Sequence, residues 1–386
     1  MQKYYVQLGN TPELSIQELN TILGPKNVLR VASHLSLVEL KNDQVAIELI
    51  DSLGGSVKII KEIAKIEDSS AENIIELVAD YLLQKQGNKI HFGFSEYGRD
   101  HLPKIDYFQI KSKIERGGKS ARFVEGSRLG LSAALLIHKK RIIEIYLVQT
   151  ADGVFMGETL ATQNIDLWTL KDRGKPYFDK KKGMLPPKVA KMMLNLALGD
   201  NPPIEGRKNV LLDPFVGTGT VLIEGLLAKV NVIGSDIDPL SVQGTKQNIE
   251  WLKTEFKITN DSKVMMFDAT KIPIQNNEIQ YIVTEPFLGK PRPNPSKLAL
   301  IFKGLLKMYL GAFKHWTSFL ADGASVVIVF PLVSFKNKNG KLIEYNLDKL
   351  IDKLASLGYT TLSKPVLYHR PNAVVQRQIY RFKFNK

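Results

Sequence analysis

Residues 213–220 read Asp-Pro-Phe-Val-Gly-Thr-Gly-Thr, and this stretch decides the fold. It follows a short apolar run at 210–212 and precedes an apolar segment that begins near Val221. Glycine permits a sharp turn from strand to helix and lets a ligand approach the backbone closely. The loop opens with a carboxylate and lacks the Gly-Lys-Ser/Thr of a phosphate-binding P-loop. It therefore suits the ammonium group of a methionine-like ligand, with a plain glycine turn as the alternative.

From about Asn209 the sequence alternates regularly between apolar strands and helices. This pattern predicts a parallel sheet covered by helices on both faces, an α/β fold of Rossmann-like type. The predicted strands are 210–212, 232–236, 264–267, 279–283 and 325–330. Two further strands, 362–367 and 375–384, are expected to pair as an antiparallel edge of the same sheet.

The first 165 residues mix strands and helices without this regular alternation. A strand at 3–8, a helix opening at Pro12 and strand-like alternation over 27–50 suggest a ferredoxin-like unit. Helices at about 70–86, 107–117 and 129–138, and strands at 89–94, 141–149 and 153–162, are predicted next. We therefore expect a ferredoxin-like unit at 1–50, an α+β RNA-binding domain at 51–165, a linker and helix at 166–200, and the Rossmann-like domain at 201–386.

The composition is that of a folded protein with an excess of positive charge. The 386 residues are 44% apolar and 24% charged, and the formal net charge is +14. The absence of cysteine excludes disulfides and thiolate metal sites, and the six histidines show no paired metal-ligand spacing, so no metal is predicted. No apolar run approaches the ~20 residues that cross a bilayer, and the N-terminus lacks a signal-peptide core. We expect a cytoplasmic protein without membrane contact.

The positive charge is unevenly distributed along the chain. Residues 1–165 hold 20 basic and 20 acidic side chains, but 104–141 hold 10 basic and 3 acidic, and 171–191 hold 8 and 2. Because neutralised phosphates release counterions, such patches favour a polyanionic partner, although a solvated face is the alternative. The candidate RNA contacts are Lys111, Lys113, Arg116, Lys119, Arg122, Arg128 and Lys181.

Three aspartates follow three consecutive predicted strands. Asp213 opens the glycine loop, and Asp236 is placed to accept hydrogen bonds from a ribose diol. Asp268 could accept from an adenine amino group, or could be a simple turn residue. Open parallel sheets bind ligands at the carboxyl ends of their strands, so the three acids together are more specific than any one. Asp238-Pro239 is typical of a helix start.

Thr284-Glu285-Pro286-Phe287 follows the fourth predicted strand and is the predicted reaction centre. Oxygen acceptors beside an exocyclic amine help localise its lone pair for an in-line displacement, and an aromatic face aligns the base. Phe287 supplies that face and Pro286 shapes the loop. Thr284 or Glu285, helped by the Pro286 carbonyl, would accept from the amine. The alternative is a strand-end turn with a buried phenylalanine.

These motifs, together with the segments 173–178 (Arg-Gly-Lys-Pro-Tyr-Phe) and 184–190 (Met-Leu-Pro-Pro-Lys-Val-Ala), resemble the THUMP-domain tRNA (guanine-N2-)-methyltransferases of guanine-10 type. The resemblance is good over about 150–290 and only in outline before that. It implies a class I methyltransferase domain preceded by a ferredoxin-like unit and a THUMP RNA-binding domain. The tetrapeptide departs from the family's Asp-Pro-Pro-Tyr.

The resemblance also implies S-adenosylmethionine as the cofactor. The residues that would hold it are Asp213, Phe215, Gly217, Gly219, Thr220, Asp236, Ile237, Asp268, Ala269 and Pro186.

The activity implied is methylation of the N2 amine of a guanine in tRNA. Methylation of ribosomal RNA guanine or of adenine N6 in nucleic acid is an alternative, since related tetrapeptides serve several bases. A protein that binds S-adenosylmethionine and RNA but has lost catalysis is another, because the tetrapeptide is altered. The implied partner is tRNA or another structured RNA. An activator subunit is known in the eukaryotic relatives, but a monomer is expected.

Overall fold

A computed structural model describes residues 1–98, 102–126, 130–139, 142–179, 184–203, 209–275, 278–336, 342–368 and 373–386. The chain divides into two compact units, Met1–Leu167 and Trp168–Lys386, which are described separately. None of the helices in these described ranges combines the length and the apolar character that a bilayer span requires.

The first unit is built on one mixed sheet. Its strands are β1 (Gln2–Leu8), β2 (Val28–Ala32), β3 (Leu35–Leu40), β4 (Ser56–Ile66), β5 (Lys89–Tyr97), β6 (Ser120–Phe123), β7 (Ile142–Thr150) and β8 (Gly153–Thr162). Its helices are α1 (Pro12–Leu23), α2 (Asp43–Ser52), α3 (Ala71–Leu83), α4 (Tyr107–Arg116) and α5 (Ala133–His138). Over the described residues the strand order is β2-β3-β1-β4-β8-β7-β5-β6. One sheet therefore contains strands from both of the units that we expected at 1–50 and 51–165.

An ion pair inside this sheet connects strands that are distant in sequence. Lys58 of β4 and Glu144 of β7 are both buried, and the Lys58 Nζ lies 2.7 Å from Glu144 Oε2. Lys58 also donates to the Leu131 carbonyl, and Glu144 accepts from the Leu131 N–H. The hydrogen bonds of this buried pair offset part of the desolvation cost of its two charges, whereas removing one partner would leave the other unpaired at a cost of several kcal/mol (~3–5). The pair fixes the segment after Gly130 against the sheet.

The prediction of strand-like structure over 27–50 is wrong for its last third, which forms α2. Asn42 caps this helix by accepting a hydrogen bond from the Val45 N–H at 3.0 Å. Its buried residues Ala46, Leu49 and Ile50 follow helical spacing rather than alternation. The strand that completes the opening unit is β4, six residues after the predicted boundary at 50. The helix predicted at 129–138 is shorter and spans Ala133–His138. Leu129, where that helix was predicted to begin, and Arg141, where the next strand was predicted to begin, lie outside the described residues.

The short helix α6 (Ile165–Thr169) leads into the second unit, and the π-helical turn Leu170–Gly174 follows it. The further helices are α7 (Pro187–Asp200), α8 (Thr220–Leu227), α9 (Pro239–Phe256), α10 (Leu298–Trp316) and α11 (Asp348–Ala355). The strands are β9 (Val210–Asp213), β10 (Asn231–Asp236), β11 (Ser262–Met266), β12 (Ile279–Thr284), β13 (Leu320–Lys336), β14 (Leu342–Tyr345), β15 (Tyr359–Thr361), β16 (Val366–Tyr368) and β17 (Gln376–Phe384).

The sheet of the second unit has the order β11-β10-β9-β12-β13-β17-β15. Strands β9 to β13 pair in parallel, and β17 runs antiparallel to β13. The order reverses direction at β9, which pairs with β10 on one side and β12 on the other. Ligands of open α/β sheets bind at the carboxyl ends of the strands at such a reversal. Asp213 and Thr284 end the two strands that flank it.

The α10 helix supplies much of the core that supports this edge. Its residues Tyr309, Phe313 and Trp316 are fully buried against the sheet. The Tyr309 hydroxyl donates to the Phe287 carbonyl at 2.7 Å, and the Trp316 indole donates to the Ala269 carbonyl at 3.0 Å. Two aromatic side chains of one helix therefore fix the backbone that follows β12 and β11.

The predicted strand at 362–367 is wrong as a single element. The structure has two short strands, β15 and β16, both paired antiparallel with β17. Pro365 lies between them, and proline cannot donate to a strand ladder. The predicted antiparallel pairing is confirmed, because β15 and β16 both pair with β17, which corresponds to the strand predicted at 375–384. The fifth strand is much longer than predicted, because β13 continues past Phe330 to pair with β14.

Candidate active site

The glycine loop between β9 and α8 adopts the conformation that its sequence requires. Gly217 and Gly219 have φ angles of +50° and +79°, which side chains other than glycine rarely adopt. A Cβ on Gly219 would lie 2.8 Å from the Thr245 side chain, so this glycine allows close packing. A Cβ on Gly217 would meet only the Phe215 carbonyl, at 4.0 Å. The loop therefore presents open backbone at Gly217 and packed backbone at Gly219.

Helix α9 holds the loop in place through two side chains that the sequence prediction missed. The Thr245 hydroxyl donates to the Gly217 carbonyl at 2.8 Å, and the Asn248 amide donates to the Thr218 carbonyl at 2.9 Å. Asn248 also pairs with both backbone groups of Tyr177, at 2.8 and 3.1 Å. The available signal was the helical spacing that places Thr245 and Asn248 on the same face as Val242, Ile249 and Leu252. The α9 helix is capped by Asp238, as predicted, through the N–H groups of Leu240 and Ser241.

Asp213, the acid that opens the loop, is buried. Its side chain accepts from the Thr284 hydroxyl at 2.6 Å and from the Phe215 N–H at 3.2 Å. Burial raises the pKa of Asp213 to about 7, and the charges of Asp236 and Glu285 act in the same direction, while its two hydrogen bonds act against them. A carboxyl group with this pKa is partly protonated near neutral pH, and a cation placed beside it favours its ionised form.

Asp236 lies at the carboxyl end of β10, and Asp268 lies just after β11. The two oxygens of Asp236 accept from the N–H groups of Gly217 and Asp238, each at 3.0 Å. The N–H and hydroxyl of Thr270 lower the pKa of Asp268, so it is an exposed and ionised acceptor. Ile237 is 71% exposed, whereas Ala269 belongs to the core. The three acids predicted from the sequence thus lie at or just beyond the carboxyl ends of three neighbouring strands.

The predicted reaction centre is divided between the interior and the surface. Thr284 is fully buried, and its hydroxyl donates to Asp213, so it faces the glycine loop. Glu285 Oε1 accepts from the Arg377 Nε at 2.5 Å. Within the described part of the chain, Glu285 Oε2 takes no hydrogen bond from a protein group. Pro286 is buried, and Phe287 is 60% exposed, which makes the alternative of a buried phenylalanine wrong.

One pocket joins the loop to this turn. Its lining consists of Met184, Leu185, Asp213, Phe215, Val216, Gly217, Thr218, Thr220, Val221 and Glu285. Pro186 adjoins the lining as the N-cap of α7. The residues around it that the sequence did not reveal are Arg377 of β17, which binds Glu285, and the α9 residues that hold the loop. Arg377 is 92 residues from its partner, and no local pattern connects the two.

Of the predicted RNA contacts, Lys111, Lys113 and Arg116 lie on α4 of the first unit, Arg122 lies on β6, and Lys119 lies in the turn between them. Arg116 and Arg122 are exposed. Lys111 lies 3.7 Å from Glu115, and Lys113 lies 3.8 Å from Glu76. The Lys119 Nζ donates to the Lys85 carbonyl at 2.5 Å. Arg128 and Lys181 lie outside the described residues. The sequence prediction missed Phe108 of α4, which is 79% exposed beside these cations.

Residues 178–325 match the methyltransferase-domain family described as UPF0020, RMKL-like, methyltransferase domain. This match covers the pocket, the glycine loop and the turn after β12. It confirms that this part of the chain is a methyltransferase domain.

Two curated relatives are tRNA (guanine(10)-N2)-dimethyltransferases of archaea. The protein of Methanothermobacter thermautotrophicus is 36% identical over 118 residues, which are 30% of this chain and 30% of that protein. The protein of Methanocaldococcus jannaschii is 28% identical over 279 residues, which are 62% of this chain and 76% of that protein. The aligned part of the chain thus spans less than a third of the first relative and about three quarters of the second. The predicted resemblance to tRNA (guanine-N2-)-methyltransferases of guanine-10 type is confirmed over the aligned residues.

A solved structure, TrmN from Thermus thermophilus, has a similar fold. It covers 100% of both chains with a TM-score of 0.56 and 12% identity. Together with the family match, this confirms the predicted Rossmann-like, class I methyltransferase fold and its class of cofactor, S-adenosylmethionine.

Proposed function

We propose that this chain is an S-adenosylmethionine-dependent methyltransferase that modifies the exocyclic N2 amine of a guanine in tRNA. The observation that carries the proposal is the 2.6 Å hydrogen bond from Thr284 to Asp213. It joins the acid of the cofactor loop to the turn that presents Glu285 and Phe287. Cofactor loop and base-binding turn therefore share one pocket.

The residues present fit the cofactor. The open backbone at Gly217 is a cradle that a Cβ would fill, and the buried Asp213 gains a full charge beside an ammonium group. In our assignment Asp236 accepts from the ribose hydroxyls and Asp268 from the adenine amine. Ile237, the backbone at Ala269, Phe215, Thr220 and Pro186 complete the surface around the cofactor.

When bound, the cofactor supplies a methyl group on a positively charged sulfur. The remaining requirement is an oriented amine whose lone pair is free to attack. Glu285 Oε2 accepts one amino hydrogen, and the Pro286 carbonyl is the second acceptor. Phe287 stacks on the base and sets its distance and angle. Arg377 holds Glu285 by its other oxygen and so orients it.

This assignment revises the role we expected of Thr284. The family tetrapeptide begins with an aspartate, and Thr284 occupies that place with its hydroxyl turned toward Asp213. In our proposal the carboxylate of Glu285, the next residue in the chain, accepts the hydrogen bond from the guanine amine instead. The altered tetrapeptide is thereby consistent with retained catalysis rather than with its loss.

Transfer RNA is the substrate that we propose because two curated relatives act on it by name. The cations of α4 and β6, and the exposed Phe108, provide charge and an aromatic face of the kind that folded RNA binds. Arg128 and Lys181 belong to the same set of proposed contacts.

The nucleic-acid class can be tested with radiolabelled S-adenosylmethionine. We expect methyl incorporation into bulk tRNA lacking the modification, and at least about tenfold less into ribosomal RNA or duplex DNA at equal nucleotide concentration. Arg116→Gln with Arg122→Gln should weaken tRNA binding and reduce its salt dependence, since each removes a phosphate contact. Preferential labelling of ribosomal RNA or DNA would contradict the choice of substrate, and no labelling of any would favour lost catalysis.

The pKa of Asp213 predicts a pH dependence of cofactor binding. Below its pKa of about 7 the free protein holds a proton on Asp213, which must leave when the ammonium binds. The affinity for S-adenosylhomocysteine should therefore rise by up to about tenfold per pH unit toward pH 7 and level off above it. Asp236, Glu285 and Thr284 face the same group.

Calorimetry in two buffers of different ionisation enthalpy measures this proton directly. We expect release of nearly one proton per ligand at pH 6 and almost none at pH 8.5. The raised pKa of Asp213 also affects the stability of the free protein, in the opposite direction to its effect on binding. Because the folded pKa exceeds the unfolded value of 3.8, Asp213 lowers the free energy of unfolding increasingly as the pH rises from about 4 to 7. Binding without proton release at pH 6 would show that another group meets the ammonium.

A further inference from the structure

We propose that Lys175 binds the carboxylate of the cofactor's methionine end, an inference that rests on the proposed cofactor site. Lys175 lies before the matched methyltransferase domain, which begins at residue 178. Its side chain is 2% exposed. Its ammonium makes one long hydrogen bond among the described residues, 3.4 Å to the Thr220 hydroxyl.

A buried ammonium in this state is costly to the free protein. A charge taken out of water is normally matched by an opposite charge or by several short hydrogen bonds. Burial lowers the pKa of Lys175, and the charge of Asp172 only partly offsets this. The ring of Phe178, 5.9 Å away, is the other favourable neighbour of the ammonium.

The nearby Lys171 is a second buried lysine in the same segment, and its charge is matched within the fold. It is 4% exposed, and its Nζ lies 2.8 Å from Glu224 and 3.4 Å from the ring centre of Trp168. Lys171 therefore has both an anion and an aromatic face within the fold. Among the described residues no carboxylate forms an ion pair with Lys175, and the charge of Asp172 acts on it without direct contact, so an incoming carboxylate would complete its contacts.

The position of Lys175 relative to the pocket identifies the anion. Thr220, its hydrogen-bond partner, lines the pocket together with Asp213 and Glu285. Asp213 suits the ammonium of S-adenosylmethionine, but the negative charges of both acids repel its carboxylate. Arg377 is already paired with Glu285. Lys175 adjoins this lining through Thr220 and is the cation that we assign to the carboxylate, whereas Asp213 is assigned to the ammonium.

Binding of three ligands to the full chain without RNA tests whether Lys175 binds the carboxylate and Asp213 the ammonium. S-adenosylmethionine carries both the ammonium and the carboxylate, decarboxylated S-adenosylmethionine keeps only the ammonium, and methylthioadenosine carries neither. We expect Lys175→Met to weaken S-adenosylmethionine about 10- to 100-fold and the other two ligands less than about twofold. Asp213→Asn should weaken the first two ligands and spare methylthioadenosine.

Two further variants separate binding from folding. Lys246 of α9 is exposed, and Lys246→Met should change none of the three affinities. Lys175→Arg should restore part of the preference for the carboxylate. The free Lys175→Met protein should unfold at the same temperature as the wild type or higher, because a buried unpaired charge has been removed.

The outcomes distinguish the two proposals. Equal weakening of all three ligands by Lys175→Met would show a structural role and overturn the inference, as would an unchanged preference for S-adenosylmethionine over its decarboxylated form. Either result leaves the proposed function standing if the wild type binds S-adenosylmethionine. If the wild type binds none of the three ligands, the proposed function fails and the inference fails with it.

Discussion

Glu285→Gln should lower the single-turnover rate of methyl transfer about 100- to 1000-fold while changing cofactor affinity less than about twofold. The substitution keeps the shape of the side chain and an oxygen that can accept from Arg377 Nε. It removes the negative charge that we propose accepts from the guanine amine. Quenched-flow methylation of tRNA at saturating cofactor measures the effect on the chemical step.

The exposed Glu250→Gln on α9 is the matched control, since it makes the same chemical change away from the pocket. It should transfer methyl groups at the wild-type rate. If Glu285→Gln also keeps the wild-type rate with bound tRNA, the acceptor lies elsewhere, and the Arg377–Glu285 pair only links the turn after β12 to β17.

Asp213→Asn should weaken S-adenosylhomocysteine binding about 10- to 100-fold at pH 8. Asparagine retains an oxygen for the hydrogen bonds from Thr284 and Phe215, so the loop should keep its geometry. What is lost is the charge that meets the ammonium. Isothermal calorimetry gives the affinity, and the proton release seen at pH 6 in the wild type should disappear in the variant.

The thermal midpoint of the Asp213→Asn protein separates loss of a contact from loss of the fold. Because burial raises the pKa of Asp213, removing its charge should leave the midpoint at pH 8 unchanged or raise it. Asp261→Asn, an exposed site after α9, serves as the control. A variant that is folded, binds as tightly as the wild type and still releases a proton at pH 6 would exclude Asp213 as the ammonium partner.

The parallel sheet and its ligand edge could be predicted because the signals there are local. Residues 213–220 carry the turn, its glycines and its acid in one stretch, and Asp236 and Asp268 follow at regular intervals. The carboxyl ends of neighbouring parallel strands meet at one edge, so placing each acid at a strand end was sufficient. That Asp213 would be buried with its pKa near neutrality did not follow from the sequence.

The residues that complete the site are far from their partners along the chain, and no period or spacing connects them. Thr284 and Asp213 are 71 residues apart, and Arg377 and Glu285 are 92 residues apart. The same holds for Lys58 and Glu144 in the first unit, where charged residues lie inside the sheet. Composition assigns such side chains to the surface, since Lys and Glu are rarely buried unless paired.

The errors in secondary structure have local physical causes. At 43–50 the apolar residues fit a strand about as well as a helix, and the Asn42 cap decides for the helix. At 362–367 the apolar residues flank Pro365, which divides the strand.

The central claim, that this chain methylates the N2 amine of guanine in tRNA, is tested most directly by identifying the modified nucleoside. Unmodified bulk tRNA would be incubated with the wild-type protein and methyl-labelled S-adenosylmethionine, digested to nucleosides and separated with standards. The account predicts that the label co-migrates with N2-methylguanosine or N2,N2-dimethylguanosine and falls about 100-fold or more with Glu285→Gln. Label in N6-methyladenosine or in any nucleoside without a modified N2 amine would contradict it.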